Sequence, residues 1–352
     1  RSRFDATNPG FEGEQESQQN QRSTNTTPAP VLGLRTASYC TENEGTPGTA
    51  LKRFGESDAE RCEAVLATVN DRIEQEWQEG ELQLGHLPEV LGGWACELYV
   101  HDGRASAGQW LQEWSGKPLR YQSLLTSFLS MLRGLLFQRY QNEPTDKQLE
   151  VTDRAQKSVA RILERALTVA AEDHATYVSA ADASVKEAVV PRYKAASIVI
   201  SHAMNQFYFG SGAYQGVEGQ EREPIGLATT TAKTRFLQDY AQILNGFARS
   251  TEPETLHHLI ELYEFLIPGD PVRVFDSVHE ILLGSGRTSG YQFEDLGSAA
   301  VVKVVTRYIA DHRSIFDDES RRARLVAVLR LFSEAGWPDA LRLLYDLPEL
   351  LR

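Results

Sequence analysis

The stretch at 119–140, LRYQSLLTSFLSMLRGLLFQRY, decides the reading of the fold. Leu124, Leu125, Phe128, Leu129, Leu132, Leu135, Leu136 and Phe137 leave it almost no polar face. A helix that is apolar nearly all round packs on more than one side. The spacing therefore predicts one buried helix, bounded by Pro118 and Pro144, around which the first half of the chain assembles. Phe128 and Leu132 are expected to be almost fully buried in it. The apolar run from Tyr121 ends at Arg133, short of the roughly 20 residues that a membrane-spanning helix needs.

Working outward toward the N-terminus, 109–114 reads as a short helix carrying Trp110 and Trp114 to the central one. The period of residues 94–100, WACELYV, fits a strand or a helix. Before it, Ser57-Asp58-Ala59-Glu60 is a capping box that opens a helix ending at Gly80. Residues 1–50 are a polar arm. Its run EGEQESQQNQRSTNTTPAP lacks apolar content and periodicity, so it cannot order by its own burial and is expected to dock on a neighbour. The chain opens on Arg1 rather than Met, which reads as a trimmed, processed or partial chain.

Toward the C-terminus, a helix is expected from Asp146, with Pro144 in its first turn, to Val190, with a plausible break at 179–184. Pro191 is expected to open the next segment. The glycine-rich stretch 211–228 reads as a linker. It divides a helical domain at 51–210 from residues 229–352, where every segment has helical spacing: 232–248, 253–267, 271–283, 296–312, 318–335 and 337–347. Connections as short as Pro268-Gly269-Asp270 imply antiparallel neighbours. In pattern, this half resembles helical arrays of the armadillo, HEAT or tetratricopeptide kind. The punctuation at Gly269-Asp270-Pro271 and Gly336-Trp337-Pro338 does not fit one clean repeat period, however, and a compact irregular bundle is the alternative. The fold class expected is all-α: an irregular bundle, then an antiparallel array, with an extended N-terminal arm.

Composition narrows the function. With 41% apolar and 24% charged residues, the 352-residue chain is globular in type and long enough for two or three domains. Its net charge of −13 opposes nonspecific nucleic-acid binding, which depends on Lys and Arg neutralising phosphates. Cys40, Cys62 and Cys96 are odd in number, widely spaced and without a C-x-x-C pair. This argues against a disulfide framework or thiolate zinc site and toward an intracellular, reducing compartment, read as the cytoplasm.

The candidate sites are few. In Gly284-Ser285-Gly286-Arg287-Thr288-Ser289-Gly290, loop amides with Ser285, Arg287 and Thr288 are suited to a phosphate. A phosphate loop, however, follows a strand and carries a lysine; this one does neither, so a linker is the stronger reading. Arg321, Arg322 and Arg324 form the densest basic cluster and a candidate acidic-partner surface. Asp317 and Asp318 lie four residues before Arg321 and Arg322, so a self-paired, solvated face is the stronger reading there. His257, Glu261 and Glu264 share a helical face but lack the second histidine of a zinc motif. Glu172-Asp173-His174 has no nucleophile that spacing places beside it. Cys62 sits on an apolar face, where a thiol is inert.

No catalytic residue, metal or cofactor is assigned. The expected function is a non-enzymatic helical interaction module, or a structural subunit of a larger assembly, with a protein partner or a second copy. The alternative is a regulatory helical region of a larger nucleotide-driven enzyme whose catalytic part lies outside this chain. A catalyst built on the glycine loop and Arg287 is a third possibility.

Overall fold

The structure, a computed structural model, describes residues 56–79, 87–141, 143–214, 227–284 and 295–352. Among them are thirteen α-helices and no strand. The arm at 1–50 lies outside the described residues, as do the side chains of Ser57 and Asp58 and the stop at Gly80.

Helix α1 (Glu56–Glu79) is tied to the elements after it by polar side chains. Glu63 meets Arg104 and Ser106, Glu74 meets Lys117, Arg120 and Tyr121, and Asn70 accepts from the Trp114 indole at 2.8 Å. The ambiguous 94–100 stretch is helical. It completes α2 (Leu87–Cys96) and a π-helical turn, Glu97–His101. Helix α3 (Ala105–Gly116) stacks Trp114 on Tyr121 of α4 (Pro118–Leu132), with ring centroids 5.9 Å apart.

The central helix is buried as expected: Phe128 and Leu132 are both 0% exposed. It does not run to Tyr140. It stops at Leu132, and the chain tightens into a 3₁₀ segment, Leu135–Tyr140. Tightening changes which carbonyls have partners within the helix. Thr152 donates to the Leu135 carbonyl at 2.9 Å, and Tyr240 donates to that of Leu136 at 2.6 Å. The bend also turns Phe137 to stack on Phe236, centroids 5.6 Å apart.

Helices α5 (Asp146–Ser179) and α6 (Ala183–Ser211) form a long antiparallel hairpin. The break falls at the expected 179–184, where Asp182 caps Ser184 N at 2.8 Å. Thr145 caps α5 through a box with Gln148, so Pro144 precedes the cap instead of standing in the first turn. Pro191 also departs from expectation. It lies inside α6 rather than opening a segment. Glu187, whose carbonyl loses its partner to the proline ring, is exposed there, so water can satisfy the group.

The second half runs through α7 (Thr230–Asp239), α8 (Ala241–Phe247), α9 (Pro253–Leu266), α10 (Pro271–Leu283), α11 (Asp295–Asp311), α12 (Glu319–Glu334) and α13 (Pro338–Leu350). Residues 232–248 were expected as one helix. Tyr240, with non-helical φ −102° and ψ 14°, divides them into α7 and α8. Helix α9 packs on α11, α10 on α12, and α11 on α13, an order consistent with stacked helix pairs.

Buried apolar residues from Cys62 to Leu347 form one cluster that crosses the 211–228 stretch. Phe207 of α6 lies at its centre, 5.2 Å from the Tyr240 ring and 5.5 Å from that of Phe247. Helix α6 touches α4, α5 and α9, so it joins the parts that α4 alone was expected to organise.

Candidate functional site

Of the residues singled out in the sequence, Ser285, Arg287 and Thr288 lie outside the described residues. The arginine cluster is described, and its expected four-apart pairs are replaced by other bonds. Arg321 and Arg322 donate to the carbonyls of Ile315 and Phe316, each at 3.1 Å. Arg324 reaches Asp276 of α10 at 2.7 Å. Asp318 instead caps α12 through Arg321 N at 2.9 Å. Arg321 and Arg322 thus hold the preceding turn against α12, and Arg324 ties α12 to α10.

The other acidic and histidine candidates are likewise engaged by neighbours within the fold. Glu264 is buried and held by Arg307 at 2.6 Å and Lys303 at 3.5 Å. His257 lies 3.6 Å from Glu261, whose second contact is the Tyr208 hydroxyl. His258 stacks on the Tyr208 ring, centroids 4.5 Å apart. Burial and the neighbouring His257 lower the His258 pKa. No cluster of three metal-ligating side chains occurs among the described residues. Asp173 is 0% exposed and accepts three bonds from Arg192, at 3.0, 2.9 and 2.5 Å. Cys62 and Cys96 are buried, and burial followed by Glu97 raises the Cys96 thiol pKa.

What spacing alone does not assemble is a groove between α5 and α8, of about 590 Å³. On α5, Ala160, Leu163, Glu164, Leu167, Thr168, Ala171 and Glu172 recur at three- and four-residue intervals and so share one face. From the α8 side come Gln242, Ile243, Gly246 and Arg249. Leu163, Leu167 and Ile243 make a buried apolar floor, while Glu164, Thr168, Glu172, Gln242 and Arg249 form an exposed polar rim. Gly246 lets the two helices close: a Cβ there would lie 2.8 Å from Leu163 Cδ2. The α5 wall from Ala160 to Glu172 is roughly 18 Å long at 1.5 Å per residue.

Arg249 also lines a second cleft, about 780 Å³, against α10. There Arg273 faces it together with Asp270, Asp276 and Glu280. Asp276 is engaged by Arg324, and Asp270 caps α10 through Arg273 N at 3.0 Å. Among the described residues, the Arg249 guanidinium has no hydrogen bond or ion pair. It is a free cation at the junction of two clefts. The sequence carries little signal for this site, because its walls are some eighty residues apart along the chain.

Comparison with protein-family models, curated proteins and solved structures gives no match. No helix is long and apolar enough to cross a membrane, among the described residues.

Proposed function

We propose that this chain is a non-enzymatic helical interaction module whose α5/α8 groove receives an amphipathic helix of a protein partner. The observation that carries this reading is the groove itself: a buried apolar floor, a polar rim and a wall on one helix. Helix-in-groove recognition uses these parts, with apolar anchors at three- and four-residue spacing meeting the floor. A wall of roughly 18 Å matches about three turns of a partner helix. Arg249 supplies a cation for a carboxylate on that helix, a charge-assisted bond that fixes its register.

The test is a photo-activated crosslinker at Gln242, on the rim, with one at the exposed Glu187 as control. A discrete protein adduct at Gln242 and none at Glu187 is expected. Equal, diffuse labelling at both positions would end the proposal.

A further inference from the structure

Helix α13 closes the described chain with its apolar side only half used. Ala340 and Leu347 are buried against the array, while Leu341 is 57% and Tyr345 85% exposed on the opposite side. Arg342, Tyr345 and Glu349 follow one another at three- and four-residue intervals, so they share that outer face. Arg342 is 84% exposed, and its ion pair with Asp346 spans 3.9 Å within the helix. Nothing in the rest of the described fold covers this face.

The order of charges along it selects the occupant. A two-fold axis between Tyr345 and Asp346 would pair α13 antiparallel with a second α13. Arg342 and Glu349 lie equally far from that axis, on the same flank of the exposed face. The rotation therefore sets Arg342 of each copy against Glu349 of the other. It also brings the two Tyr345 rings together at the axis, with Leu341 and Pro348 of both copies on the opposite flank. We infer that α13 is a self-complementary interface through which two copies of this chain associate antiparallel. The groove plays no part in it, so either proposal stands or falls alone. One helix face is smaller than the roughly 800 Å² per partner of a standard stable interface, so the association is weak and concentration-dependent.

Sedimentation equilibrium of the full chain over roughly 1–500 µM tests this. The wild type should pass from monomer to dimer in that range. Arg342→Glu or Glu349→Arg alone places two like-charge pairs in the dimer and should weaken it about tenfold. Mixing these two variants restores both opposite-charge pairs, because each supplies what the other lacks. The mixture should dimerise like the wild type. Both substitutions are at exposed positions, and circular dichroism confirms that each variant folds. A wild type that stays monomeric throughout overturns the inference. So does a mixture no more associated than its components.

Discussion

At the scale of single residues, the charged groups inside this protein act as clamps. Asp173 is wholly buried and depends on Arg192, whose side chain remains 47% exposed. Arg192→Ala leaves that carboxylate without its three bonds and should cost about 2–3 kcal/mol, read as a lower urea midpoint. Three histidines set an acid limit. The pKa values of His202, His258 and His279 fall below the ordinary 6.5, each chiefly through burial, with Arg133, His257 and Arg324 adding to it in turn. The unfolded chain then takes up protons first on acidification. The stability these groups contribute is complete above about pH 6.5 and declines below it. Tm should therefore fall between pH 7.5 and 5.5, and fall less in a His202→Gln, His258→Gln variant. An equal fall in both proteins would remove these histidines as the cause. The sequence made the burial of Cys62, Phe128 and Leu132 readable, because apolar spacing reports burial directly. It did not make the use of Arg321, Arg322 and Arg324 readable: their partners are carbonyls and a carboxylate brought in by tertiary packing.

At the scale of elements, helix positions followed from periodicity, and errors fell where packing overrides it. Three expectations changed where distant contacts or water decide the outcome. The central helix gave up its last turns to a 3₁₀ segment whose carbonyls find Thr152 and Tyr240. Pro191 stays within α6 because that part of the helix faces water. Tyr240 splits one expected helix, and its hydroxyl then reaches the Leu136 carbonyl. None of these partners is near in sequence, so no window of the chain could reveal them. Close helix approach is another such property. At Gly92 of α2, a Cβ would stand 2.7 Å from the backbone nitrogen of Phe128 in α4. Gly92→Ala must push these helices apart and should cost about 1–3 kcal/mol, seen as a lower denaturant midpoint with an unchanged m value. Gly116→Ala is the control, because a Cβ there meets nothing within 4 Å.

At the scale of the whole molecule, the all-α class was legible from the sequence, because apolar residues recur at helical spacing from Cys62 to Leu347. The way the two halves meet was not. Phe137, Phe207, Phe236, Tyr240 and Phe247 come from four separate segments and meet in one aromatic cluster across the 211–228 stretch. The groove depends on that junction, since α5 precedes the stretch and α8 follows it. Thr168 is exposed on the groove rim, so Thr168→Trp should plug the groove without disturbing the core. Crosslinking from Gln242 in the Thr168→Trp chain, beside the unplugged chain, tests the proposed helix-binding role most directly. The discrete partner adduct should appear in the unplugged chain and be lost on plugging, while the circular dichroism spectrum stays the same. An adduct of equal yield in both chains would contradict a partner helix in the groove.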